Sequence, residues 1–143
     1  ILHFNIFEKV LSLRIDTVSM ETISLESTKK TPMVLLDPSG KMRIGGRSIP
    51  EDASKFFDGI LNWILDYVNN PQDSTVIDIE LEYFNSGSAK FVMQILRELS
   101  ELIHNGKELK VNWYYEEGDD DILERGEYYA SILDLDINFI ETE

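Results

Sequence analysis

From residue 74 onward the chain switches between two incompatible hydrophobic rhythms, and this switching limits the folds open to it. Over Ser74–Phe84 the side chains alternate, with Ile77, Ile79, Leu81 and Tyr83 one way and Asp78, Glu80 and Glu82 the other. That period of two is the mark of a strand. From about Ser88 to His104, Val92, Ile95, Leu96, Leu99, Leu102 and Ile103 recur at helical spacing, as in a helix laid on a core. Asn105-Gly106 stops that helix, and Lys107–Glu116 alternates again, with Leu109, Val111, Trp113 and Tyr115 on one side. A strand, a helix and a strand in succession call for a crossover connection, which sets the two strands parallel in one sheet.

The same reading extends in both directions. Glu21–Glu26 and Met33–Asp37 are short and β-prone, and Asp37-Pro38-Ser39-Gly40 is a turn sequence that returns the chain into Lys41–Ile44. Ser48-Ile49-Pro50-Glu51-Asp52 has the chemistry of a helix start. The helix behind it places Ala53, Phe56, Phe57, Ile60, Leu61, Ile64, Leu65 and Val68 on one face and ends at Asn69-Asn70-Pro71. A third helix is expected around Asp121–Leu133 and a last strand at Ile137–Ile140. The predicted class is α/β (α+β): a mixed β-sheet with about three helices mainly on one face.

A length of 143 residues at 43% hydrophobic content suits one core rather than two. Residues 1–19 have no net charge, since Glu8 and Asp16 offset Lys9 and Arg14, and they lack the layout of a signal peptide. They are read as an N-terminal extension outside the core domain, which is placed at 20–143. The formal charge of −14 therefore falls on the domain. Such a surface repels nucleic-acid backbones and anionic membranes, so neither is expected as a partner. No apolar run spans a bilayer, and the expected setting is cytoplasmic, with protein partners that offer a basic patch. The absence of cysteine excludes disulfides and thiol catalysis, and with only His3 and His104 no metal centre or cofactor is expected.

Three stretches carry candidate chemistry. In Leu81–Lys90 a strand runs into a helix through Asn85-Ser86-Gly87-Ser88. Asn85, Ser86 and Ser88 are each competent N-caps, and an ordinary capped helix explains the segment on physics alone. A hydroxyl there is also a plausible phosphate acceptor, because a helix start tolerates an anion and Lys90 lies one turn in. No base stands nearby to make such a serine a hydrolytic nucleophile. The acidic run Glu116-Glu117-Gly118-Asp119-Asp120-Asp121 lacks the ligand spacing of a calcium loop and reads as a solvated loop that favours the next helix start. Gly45-Gly46-Arg47-Ser48 lacks the spacing of a phosphate loop and reads as a hairpin exit. Arg47 and Tyr114 are candidate partner contacts: Tyr114 faces opposite to Trp113 and Tyr115, which belong to the core.

Four motifs taken in order resemble the SiaC-type biofilm-regulation phosphoproteins. They are Thr31-Pro32-Met33-Val34 with Asp37-Pro38; Gly46-Arg47-Ser48-Ile49-Pro50-Glu51; Tyr83-Phe84-Asn85-Ser86-Gly87-Ser88-Ala89-Lys90; and Val111-Asn112-Trp113-Tyr114-Tyr115-Glu116-Glu117. The resemblance implies a STAS-like fold, similar to anti-sigma-factor antagonists. It implies a non-enzymatic regulator cycled by a kinase and a metal-dependent serine/threonine phosphatase, whose unphosphorylated form binds and stimulates a diguanylate cyclase. The phosphoacceptor is expected at Ser86, where the family usually has threonine, with Ser88 as the weaker alternative; Gly87 stands where a serine is usual. The alternative output is that of an anti-sigma-factor antagonist in a partner-switching pathway. Enzymatic use of the acidic loop as a metal site is disfavoured by its ligand spacing.

Overall fold

The computed structural model describes residues 20–143, and the expectation for residues 1–19 lies outside the described residues. Strands β1 (Ile23–Leu25), β2 (Met33–Leu36) and β3 (Lys41–Ser48) are followed by helix α1 (Ala53–Asn69) and strand β4 (Ser74–Phe84). Helix α2 (Ser86–His104), strand β5 (Glu108–Glu116), helix α3 (Asp120–Leu133) and strand β6 (Ile137–Thr142) complete the domain. The sheet runs in chain order, β1-β2-β3-β4-β5-β6, antiparallel through β3 and parallel from there on. Right-handed crossovers between successive parallel neighbours put every intervening helix on one face. The expected mixed sheet with helices on one face is what the chain adopts.

Among the described residues no helix covers the other face, an uncommon state for parallel strands, and that face carries a polar ladder. Asn112 donates to Asp78 at 2.8 Å, Asn138 donates to Asn112 at 3.1 Å, and Arg43 pairs with Asp78 at 3.5 Å and with Glu80. The covered face holds the core, centred on Trp113, Phe57, Phe84 and Tyr67, all fully buried. Trp113 packs edge-on against Phe84 and Tyr129 and donates its indole N–H to the Ile122 carbonyl at 3.0 Å.

Several boundaries differ from expectation for local reasons. Ser48 ends β3 instead of opening α1, whose N-cap is Asp52, accepting from the Lys55 N–H. The buried stripe of α1 is turned toward Trp63 and Tyr67, leaving Leu65 exposed. Both aromatics have polar handles that the site satisfies: Trp63 donates to the Glu21 carbonyl, and the Tyr67 hydroxyl meets Thr75 at 2.7 Å. Ile103, expected inward, is exposed on the last turn of α2.

Gly45–Ser48 is strand, not a hairpin exit. Gly46 takes a φ of +94°, and the pairing of β3 with β4 slips there, so that Gly46 faces Leu81 but Arg47 faces Tyr83. Glu82 is the extra residue of this bulge, and it resets the parity of β4. Tyr83, expected on the core side, is turned out to 48% exposure, while Phe84 is fully buried.

Candidate functional site

The bulge delivers the chain to the end of β4 with Phe84 anchored and Asn85 free to cap. Asn85 is extended, with φ −78° and ψ 173°, and its side-chain oxygen accepts from the Ser88 N–H at 2.9 Å. Its carbonyl accepts from the Ala89 N–H at 2.9 Å, and its own N–H donates to the Ser48 carbonyl at 3.0 Å. Of the three possible caps, the structure uses Asn85, and the helix starts two residues earlier than the spacing of apolar residues suggested. The expected cost of Asn85→Ala is about 1 kcal/mol of stability, to be read from a urea melt against the parent chain.

The two candidate hydroxyls occupy opposite environments. Ser86 is the first helical residue and exposed. Ser88 is completely buried: its hydroxyl donates to the Ser48 carbonyl at 3.1 Å and accepts from the Ser48 hydroxyl at 2.8 Å. Ser88 thus fastens the start of α2 to the end of β3. Gly87 lets α1 approach, since a Cβ there would stand 3.3 Å from the Ala53 methyl. Lys90 is exposed on the second turn of α2.

Arg47 is exposed and lies over the outward Tyr83 ring, 5.8 Å from its centre. Tyr114 is half-buried on the uncovered sheet face, with the Arg43 guanidinium 5.7 Å from its ring centre. It lines a separate groove of about 360 Å³ with Arg43, Glu80 and Glu116. The structure therefore gathers Asn85, Ser86 and Lys90 at one junction, with Arg47 beside its entry strand and Tyr114 set apart on the sheet.

A second groove, of about 520 Å³, opens between the end of β4 and the start of α3. Glu82, Asp119, Asp121 and Glu124 line it, with Tyr83, Phe84 and Tyr128 as its aromatic walls and Arg125 as its cation. Arg125 donates to the Phe84 carbonyl at 3.0 Å and stacks 4.5 Å from the centre of that ring. Burial raises the Tyr129 phenol above its ordinary value, with the Arg125 charge opposing; the neutral hydroxyl donates to the Ala89 carbonyl of α2 at 3.2 Å. Sequence reasoning missed Arg125 and the outward turn of Tyr83. Gly46, the residue whose positive φ accompanies the slip, was the one sequence signal available for the second; the first depends on helix-to-helix register. In the acidic loop, Asp119 caps α3 by accepting from the Ile122 N–H, and Asp120 and Asp121 occupy its first turn. No group of three or more potential metal ligands is assembled among the described residues. Nor is any described helix long and apolar enough to cross a membrane.

Fold and junction together define a one-sided α/β sandwich with an exposed hydroxyl at a helix start, held in place by buried polar contacts. The model of the SiaC family, whose members are described as regulatory phosphoproteins, matches residues 25–142, and the chain belongs to that family. An uncharacterised protein of Pseudomonas aeruginosa strain UCBPP-PA14 is 26% identical over 111 residues, covering 77% of this chain and 88% of its own. The crystal structure of apo-SiaC from Pseudomonas aeruginosa is 25% identical and superposes with a TM-score of 0.74, over 87% of this chain and 100% of that one. The same fold recurs in the structure of diguanylate cyclase SiaD in complex with its activator SiaC from Pseudomonas aeruginosa. There the match is 23% identical with a TM-score of 0.78, over 84% of this chain and 99% of that one.

Proposed function

We propose that this chain is a phosphorylation-controlled binding protein whose bare form binds and stimulates a diguanylate cyclase. A kinase and a metal-dependent serine/threonine phosphatase would switch it through Ser86. One observation carries the reading: in a member of a phosphoprotein family, Ser86 is exposed at the first position of a capped helix while its neighbour Ser88 is buried and doubly hydrogen-bonded. The helix start favours an anion there. The reaction itself belongs to the kinase. The Ser86 Oγ–phosphorus bond forms as the γ-phosphorus of ATP parts from the oxygen of ADP, and the hydroxyl proton passes to the kinase's base. The protein acts by binding, without turnover, in the cytoplasm where ATP is supplied.

A cyclase output is favoured over an anti-sigma output because the matched fold of Pseudomonas aeruginosa SiaC occurs as an activator bound to SiaD. Exposed Tyr83 with Arg47 above it supports a docking surface beside the junction, with Tyr114 on the adjoining sheet face. The test is site-mapped mass spectrometry of the protein from its native host, and again after incubation with the host's kinase and ATP. Phosphate on Ser86 is the expected result. A chain left unmodified by kinase and ATP, or modified only at another residue, would sink the reading.

A further inference from the structure

Arg125 is a cation among acids that it does not touch. Glu82, Asp119, Asp121 and Glu124 line the same groove, yet among the described residues the ion pairs are Lys30–Glu51, Arg43–Asp78, Arg43–Glu80 and Lys107–Asp73. The Arg125 guanidinium is engaged by neutral partners instead, the Phe84 carbonyl and the face of the Phe84 ring. A guanidinium carries several N–H donors in a planar fork, and a single carbonyl leaves most of that fork open.

Helix register sets what the open fork faces. Helices α2 and α3 both start at the same end of the parallel strands, and Tyr129 of α3 reaches Ala89 of α2. One turn back along each helix, four residues in both cases, brings Arg125 level with Asn85. The bond from Arg125 to the Phe84 carbonyl agrees with this alignment. Ser86 is the next residue, and its hydroxyl is exposed.

We propose that Arg125 is the residue that receives the phosphoryl group on Ser86, forming the fork-on-phosphate ion pair that arginine geometry favours. This rests on the assignment of Ser86 as phosphoacceptor. Pairing draws the guanidinium toward the phosphate and away from the Phe84 carbonyl. Modification thereby changes the groove twice, by adding an anion at its edge and by redirecting its cation. Lys90 approaches from the helix surface as a flexible point charge, without the planar fork.

The experiment places phosphoserine at position 86 by encoded incorporation and follows its second ionisation by phosphorus NMR. The otherwise native chain is compared with the Arg125→Gln chain. A phosphate monoester titrates at about 6, and an adjacent guanidinium favours the dianion. The native chain is expected to titrate about half a unit or more below the Arg125→Gln chain. Coincident titrations overturn the proposal. Since Arg125 also packs on Phe84, a second reading uses the native chain alone: the Arg125 Nε–H resonance is expected to shift when position 86 is phosphorylated, and an unmoved resonance counts equally against. Native phosphate mapped to a residue other than Ser86 removes the proposed function, and with it the physiological role of Arg125, whatever the encoded phosphate does.

Discussion

A chain phosphorylated on Ser86 is expected to bind the diguanylate cyclase at least about tenfold more weakly than the bare chain, a change of about 1.4 kcal/mol. Ser86→Ala is expected to bind like the bare chain, and Ser86→Asp to fall between the two. The asymmetry follows from position. The Ser86 hydroxyl is exposed and is not part of the buried polar contacts that hold the junction, so its removal leaves the junction intact. A phosphate adds a charge of about −1.5 to −2, which a docked partner must strip of water. Its surroundings are already acidic, with Glu82, Asp119, Asp121 and Glu124 along the neighbouring groove. Aspartate carries less charge and fewer acceptor oxygens, hence the intermediate effect. Calorimetric titration of the three chains into the cyclase, with cyclic di-GMP production alongside, gives the answer. Equal affinity for the phosphorylated and bare chains would mean that phosphate does not control this contact.

Gly126→Ala is expected to destabilise the domain by about 1–3 kcal/mol, although helix propensity alone favours alanine by up to about 1 kcal/mol. Gly126 faces inward on α3, where an added Cβ would stand 2.7 Å from Trp113 Cε2, Trp113 Nε1 and Phe139 Cε1. The Trp113 ring cannot yield freely. Trp113 is fully buried, edge-on to Phe84 and Tyr129 and tied to Ile122. Helix α3 must therefore lift, carrying the Arg125 and Tyr129 contacts to α2 and β4 with it. Urea denaturation of the pair decides the sign, and a more stable alanine chain would show that the rings accommodate the methyl group.

Element types were largely legible because local rhythm and core burial agree. In β4, Ile77, Ile79 and Leu81 alternate in sequence and are buried in the structure. The departures lie where a side chain's fate depends on something distant. Trp63 and Tyr67 are drawn into the α1 stripe by a carbonyl at Glu21 and a hydroxyl at Thr75, neither of which a helical wheel contains. Tyr83 is turned outward by a slip in strand pairing that Gly46 permits on another strand. At the candidate site, Asn85, Ser86 and Lys90 are singled out by the strand-to-helix transition, which is local. The separation of Ser86 from Ser88 is not, because the burial of Ser88 comes from Ser48, forty residues away. Arg125 was missed for the same reason: it meets the junction only through the packing of α3 on α2 and β4.

The reach of that serine pair bears on the order in which the molecule assembles. The β2–β3 hairpin closes across the short turn Asp37–Gly40, an event of low contact order. The parallel pairing of β3 with β4 closes a loop that contains all of α1, and such non-local pairings are slow to form. Only then can the Ser48 carbonyl take the Asn85 N–H and the Ser88 hydroxyl. The backbone that presents Ser86 is thus a late product of folding, absent from the nascent segment Tyr83–Lys90 on its own. A kinase that recognises that backbone would read completed domains and pass over chains still being made.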